Sequence, residues 1–299
     1  MEKVLKRKQK GNLARAFYRF KKNPLSLIGL SIILMMASIA IFAPFIALYP
    51  EDAGGAVHFE KMFQPPSWNH PFGTDEVGRD AFSRVIFGSR ISLMLGVVVL
   101  SVAVLIGVPL GLFAGYFGGK VETIIMRITD IFLAIPPLVL ALAVTAVLER
   151  NLQNSMFAIA FTWWPWYARL VYGETLSKKE EDFVEVSESL GASRLYIIFR
   201  EILPNMTSPL LVKITMDMGY AILVGAALGF LGLGAQPPTA EWGTLVSLGR
   251  IHLPKMWWLS TFSGLAIFIT VLGFNLLGDG LRDFFDVEVE QGWGLGTLF

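Results

Sequence analysis

The chain has 299 residues, 54% of them hydrophobic and 16% charged, with a mean hydropathy of +0.57 and a formal net charge of +1. That balance excludes an ordinary soluble domain and describes an integral membrane protein, while near-neutrality argues against a nucleic-acid partner. There is no cysteine, which excludes a disulfide framework and a thiolate metal site.

Residues 1–24 are a basic lead carrying Lys3, Lys6, Arg7, Lys8, Lys10, Arg15, Arg19, Lys21 and Lys22. The apolar run that follows, Leu25 to Tyr49, exceeds the ~7–15 residues of a signal-peptide core and lacks a small-x-small exit, so it reads as a first span. The positive-inside rule then keeps the lead in the cytoplasm. Within it, Ala14 to Phe20 either lies along the membrane surface or is a disordered basic tail.

Residues 50–90 are consequently expected outside the cytoplasm. Pro71 and Gly73 predict a turn, Asp75 can cap or begin a short helix, and Arg79 and Asp80 can pair with each other or with polar neighbours. His58, His70 and His252 have no ligand spacing and read as surface residues rather than a metal site. The string from Asn69 to Arg84, continuing through Gly88-Ser-Arg-Ile-Ser-Leu93, closely resembles the segment after the first span in C-type permease subunits of dipeptide and oligopeptide importers.

The second apolar block runs from Ile91 to Tyr116, long enough for a tilted crossing. Its Gly107, Gly111 and Gly115 recur every four residues, which puts small side chains on one helix face for close packing. Gly118 to Val121 is not a phosphate loop, because Ala114 stands where the first glycine should be and Val121 is neither Ser nor Thr. A third helix, Val121 to Leu148, should kink at Pro136-Pro137 and carries Arg127 and Asp130, which read as snorkelling or helix-pairing charges. Ser155 to Tyr172 follows, where the crowded Trp163, Trp164, Trp166 and Tyr167 either form an interfacial belt and packing or line a pore.

Glu185 to Asn205 is the longest charge-bearing segment between two apolar blocks in the second half, within an expected cytoplasmic loop over residues 174–205. Glu185 to Leu190 predicts one short helix, Gly191 a break, and Arg194 to Leu203 a second helix that Pro204 stops from continuing unchanged. The result is a helical elbow. The order Glu185, Gly191, Leu203-Pro204 resembles the EAA loop of ATP-binding cassette importers, although Val186 and Ser187 replace the usual alanines and Glu201 stands where isoleucine is common. The resemblance implies that Glu185, Val186, Ser187, Glu188, Gly191, Ala192, Ser193, Leu203 and Pro204 couple this chain to a nucleotide-binding subunit.

Met206 to Leu233 reads as the next crossing. Lys213 and Asp217 stand one turn apart on one face, either as a structural salt bridge or as a polar lining of a pathway. Gly225 and Gly229 again mark close packing. Residues 234–256 are an outer loop in which the paired prolines specify a turn and Glu241-Trp242-Gly243 begins a short re-entrant or surface helix. The string Phe230 to Leu245 also resembles the peptide-permease C subunit, which implies that Glu241 and Trp242 lie near the pathway mouth or contact a binding protein. Trp257 to Leu277 returns to the cytoplasm, and residues 283–299 form an acidic tail.

Counting crossings gives about six helices with both termini cytoplasmic: an all-α integral membrane protein with a permease domain over residues 25–282. The resemblance implies a type I importer transmembrane domain that forms half of a pathway for di- or oligopeptides, with oligosaccharides or nickel as alternative cargo. It further implies a homologous second permease subunit in a heterodimer, two nucleotide-binding subunits holding ATP and Mg, an extracellular solute-binding protein, and no cofactor on this chain. Of three rival classes, two meet obstacles in the residues. An ion-driven secondary transporter needs a mid-membrane acid, for which Asp217 is available, but it has no use for the elbow. An intramembrane enzyme lacks a histidine or cysteine inside any span. A structural or scaffold protein is separated from the transporter reading by experiment, through co-purification with an ATPase.

Overall fold

The computed structural model describes residues 21 and 23–289, with side chains through 285. The basic lead before residue 21 and the tail beyond residue 289 lie outside the described residues. So does the choice between surface helix and disordered tail for Ala14 to Phe20.

Among the described residues the chain is helical, with only an isolated bridge between Thr74 and Asp80 outside the helices and turns. The helices named here are α1 (Pro24–Ile41), α2 (Ala81–Phe117), α3 (Gly119–Leu133), α4 (Pro137–Val147), α5 (Leu152–Lys179), α6 (Asp182–Ser189), α7 (Thr207–Phe230), α8 (Trp242–Arg250) and α9 (Trp258–Val289). Four of them, α1, α2, α7 and α9, are long and apolar enough to cross a membrane. The pair α3 and α4 forms a fifth, broken unit bent by 87°. With 28 residues, α5 has the length of a crossing but not the apolarity of those four, because it carries Asn154, Arg169, Glu174, Lys178 and Lys179. Among the described residues four or five units therefore have the length and apolarity of a crossing, against about six expected, and α5 supplies a sixth by length alone.

Several boundaries differ from expectation. The second long helix begins at Ala81, ten residues before Ile91, and its cap is Asp80, whose Oδ2 accepts from Ser83 N at 2.7 Å. Asp75 caps no helix; its carboxylate accepts from Val77 N and Arg79 N in a turn and pairs with Arg79 Nε at 2.8 Å. Arg79 and Asp80 therefore do not pair with each other. The predicted kink at Pro136-Pro137 is a complete break, since two successive residues without N–H groups deprive α3 of continuation, while Pro137 suits the first turn of α4. At the other end α9 runs through Val289, so the acidic segment begins inside a helix.

Small residues set the packing. A Cβ at Gly107 would lie 2.4 Å from the Trp164 carbonyl oxygen, one at Gly111 2.6 Å from that of Ala168, and one at Gly115 2.6 Å from Thr175 Cβ. The glycine stripe of α2 is thus the seam along which α5 lies. On the side of this seam towards the start of α2, Leu95, Val99 and Ala103 pack with Ile159, Trp163 and Tyr167 of α5 and with Ala221 and Leu228 of α7. Trp163, Trp164 and Tyr167 are buried in this packing, and Trp166 alone of the four aromatics is exposed. The first helix is held to the last where Gly29 meets the backbone of Leu277 and Gly280 meets Ser26. Asp130 on α3 forms an ion pair with Arg169 on α5, whereas Arg127 is exposed.

Residues 49–84 fold into a polar cap over the N-terminal end of α2. Asp52 Oδ2 accepts from the backbone N–H of Asp80 at 2.8 Å, His58 Nε2 meets Asp52 Oδ1 at 2.9 Å, and His70 Nδ1 meets Asp80 Oδ1 at 2.9 Å. His70 is buried, contrary to the expected surface position, because the Asp80 carboxylate supplies the partner its ring needs. Arg84, also buried, donates to the carbonyl oxygens of Asp52 and Pro238 and so ties the cap to the later outer loop.

Candidate functional site

Three groups of residues carry the functional expectation: the elbow, the charged pair on α7, and the turn at Glu241. The elbow begins with α6. Its C-terminus closes in a Schellman arrangement, with Gly191 N donating to Glu188 O at 2.9 Å and Ala192 N to Ser187 O at 3.0 Å. Gly191 has φ +81°, a conformation open to glycine and strained for most other residues. Ser193 then caps the next segment, accepting from Tyr196 N at 3.3 Å. One α turn, Arg194–Tyr196, passes into π-helical turns over Ile197–Ile202 and a last turn over Leu203–Asn205.

Pro204 does keep the second helix from continuing unchanged, although its turns run past Leu203 to Asn205. Lacking an N–H, it cannot bond the carbonyl one α turn back, and the backbone answers by widening into π turns ahead of it. The break falls instead at Met206 (φ −113°, ψ 11°), beyond which α7 starts.

The elbow has an inner and an outer face. Val184, Ile197, Ile198, Ile202 and Met206 are buried against Val108, Leu112 and Tyr116 of α2 and Val171 of α5. A hydrogen bond from Tyr116 Oη to Glu188 Oε1 at 2.9 Å adds a polar tie to the same contact. Outward lie Glu185, Val186, Glu188, Gly191, Ser193 and Pro204, with Ser187, Ala192 and Leu203 half-buried. The resemblance also implied that the exposed residues from Val186 to Leu195 meet the nucleotide-binding subunit, and within that span Leu190 is 82% exposed and Leu195 is exposed; sequence reasoning missed Tyr196 and Phe199, exposed beside them. Their signal was available as apolar residues scattered through an otherwise charged stretch.

On α7 the Lys213 ammonium lies 2.7 Å from Asp217 Oδ1, and Trp163 Nε1 of α5 donates to Asp217 Oδ2 at 3.3 Å. Lys213 Nζ also stands 5.8 Å from the centre of the Trp166 ring. Spacing alone predicted the ion pair but not the indole that anchors its acid.

Glu241 and Trp242 are not at a contact surface. They are 2% and 0% exposed, which corrects the expectation that they contact a binding protein. The Glu241 carboxylate caps α8, accepting from Gly243 N and Thr244 N at 2.8 Å each and from Ser92 Oγ at 3.4 Å. Burial holds this carboxyl above the ordinary carboxylate range, opposed by those hydrogen bonds. Trp242 Nε1 donates to Val85 O at 2.9 Å, and its ring lies where a Cβ on Gly88 would be, 2.7 Å from Cδ1. The two outer strings, far apart in sequence, are each other's packing partners.

Comparison with known proteins agrees with this arrangement. The family described as binding-protein-dependent transport system inner membrane component matches residues 107–291, and the N-terminal TM domain of oligopeptide transport permease C matches residues 12–66. The probable D,D-dipeptide transport system permease protein DdpC of Escherichia coli K12 is 45% identical over 92% of this chain and 91% of its own. The dipeptide transport system permease protein DppC of Alkalihalophilus pseudofirmus is 43% identical over 92% and 90%, respectively. The glutathione transport system permease protein GsiD of Escherichia coli O6:K15:H31 is 43% identical over 91% and 89%. In fold, an inward-facing form of the MetNI methionine ABC transporter matches with a TM-score of 0.55 at 20% identity, covering 68% of this chain and 96% of that one. The chain belongs to the binding-protein-dependent transport system inner membrane components and is a permease subunit of an ATP-binding cassette importer.

Proposed function

We propose that this subunit forms one half of a pathway for short peptides, the other half being a homologous second permease subunit. Two nucleotide-binding subunits hold ATP and Mg, and an extracellular binding protein delivers the solute. In this reading both termini lie in the cytoplasm, which the basic lead supports through the positive-inside rule. Peptide is the preferred cargo because the dipeptide and glutathione permeases are similar to this chain over nearly its whole length.

The observation that carries the coupling reading is the two-faced elbow. Its tip offers Leu190, Val186, Leu195 and Tyr196 to a partner, while Val184 and the isoleucines behind it are packed into α2 and α5. A partner that grips the tip therefore moves the spans rather than a loose loop. ATP-driven closure of the nucleotide-binding subunits would swing the elbow and open the pathway outward; hydrolysis would return it, the scheme of alternating access.

The test is purification of the tagged chain in gentle detergent, with hydrolysis followed on the complex. A second permease and ATPase subunits should co-purify, and peptide with its binding protein should stimulate hydrolysis. Stimulation by an oligosaccharide or by nickel instead would replace the cargo. A chain that elutes alone and moves solute on a proton gradient without ATP would overturn the coupling role.

A further inference from the structure

The charged pair of α7 has a feature that a purely structural salt bridge does not need. Asp217 is 7% exposed and held from behind by Trp163, but the Lys213 side chain is one-third exposed, with the ring of Trp166, itself 43% exposed, 5.8 Å from its ammonium. The Tyr220 ring in turn rests against that of Trp163 at 5.1 Å between centroids. A rigid aromatic and acidic wall thus presents one ammonium outward.

That ammonium cannot face lipid cheaply. Lys213 is six residues into the 24-residue α7, about 9 Å along a helix of about 36 Å, so it lies short of the bilayer centre, where a cation costs roughly 2.5–3.5 kcal/mol, but its bond to Asp217, one turn further in, holds the ammonium away from the near interface. Water or protein is the cheaper neighbour for its outer side. Asp217 occupies only one of the three donors of the ammonium, so a further acceptor can be accommodated without breaking the pair.

On the reading given above, in which a pathway runs between two permease subunits, we propose that Lys213 lines that pathway and is a solute-contacting residue. It would receive a carboxylate of the passing solute, such as the C-terminal carboxylate of a peptide, while Trp166 and Tyr220 pack against the organic body beside it. Asp217 and Trp163 are positioning residues: they hold the ammonium at one height and keep it from folding back. The site is mechanically joined to the elbow, because α7 starts directly after Met206, which is buried in the elbow's own apolar cluster. A swing of the elbow therefore reorients Lys213 within two helical turns.

The test uses the complete complex in proteoliposomes. Replacing the pair together, Lys213→Met with Asp217→Leu, removes both charges, so no lone buried charge is left to unfold the subunit. The double variant should assemble normally and lose at least about tenfold in maximal peptide uptake, the size expected for losing a charge-assisted hydrogen bond. Lys213→Arg should retain uptake, because it keeps the cation. Uptake by the double variant at the wild-type rate would overturn the proposal. A second measurement stands if the double variant fails to assemble. The chain has no cysteine, so Tyr220→Cys gives one reporter on this subunit. A charged thiol reagent should modify it at rates differing about tenfold or more between the nucleotide-free and ATP-trapped states, with peptide slowing the reaction. No modification, or equal rates unaffected by peptide, would sink the idea. Failure of the wild-type complex to couple ATP to uptake would instead remove the importer reading itself, so the two failures are distinct.

Discussion

Glu241 shows how a single side chain can be read for the wrong purpose. An acid beside tryptophan and glycine in an outer loop suggests a contact, yet its oxygens are consumed in capping α8 and it is sealed beneath Gly229, where a Cβ would stand 2.4 Å from Oε2. Glu241→Ala should cost about 1–3 kcal/mol, combining a lost cap with unpartnered N–H groups, measurable as an earlier unfolding transition. The carboxyl is held above its ordinary pKa, so the folded chain binds this proton more readily than the unfolded one. Its contribution to stability is complete below the unfolded value of about 4.3 and is lost as pH rises through the raised folded value. Glu241→Gln, uncharged throughout, should flatten that part of a stability-against-pH curve; an unchanged slope would assign the dependence to another group.

Among the elements, the elbow was the most legible. Its glycine break, the helix before it and the charge pattern are local, and local chemistry is what a sequence exposes. The Schellman closure explains why the position is glycine: nothing lies within 4 Å of a Cβ built there, so the constraint is φ alone and not space. This orders the substitutions. Gly191→Asn should be mild, because Asn tolerates left-handed backbone, whereas Gly191→Val should cost on the order of 1–3 kcal/mol of local strain. Solute-stimulated ATP hydrolysis should fall in the same order with assembly unaffected, and equal loss for both would show that crowding by a partner matters more than conformation. The π turns before Pro204 were not legible, because proline announces only that an α hydrogen bond is missing. Tertiary packing of Ile197, Ile198 and Ile202 decides how the backbone absorbs the loss.

For the whole molecule, the legible parts and the hidden parts divide by sequence separation. The glycine stripe on α2 and the Lys213–Asp217 pair repeat at helical spacing and could be placed on a face without knowing the fold. The start of α2 could not: residues 50–90 read as an outer segment, but the terminal nitrogens of Arg84 donate to carbonyls of Asp52 and Pro238, one of them 154 residues away. Only Asp80 followed by Ser83 and an apolar run hinted at an earlier cap. Burial of His70 was hidden likewise, since its partner is known only once the cap is folded. Large exposed apolar side chains at Phe45, Leu105 and Val147 fit a chain that reaches its final environment only among lipids and companion subunits.

The contact between Gly88 and Trp242 has a genetic consequence. Because the indole fills the volume a side chain at 88 would occupy, Gly88→Ala alone should reduce the amount of assembled transporter, as overpacking by even one methyl does. Selection for restored peptide uptake in that background should then recover smaller residues at 242, such as Trp242→Phe, although the two codons are half a gene apart. Suppressors arising instead on the elbow would indicate that the outer seam is already slack, and that the two strings are inherited together for some reason other than fit.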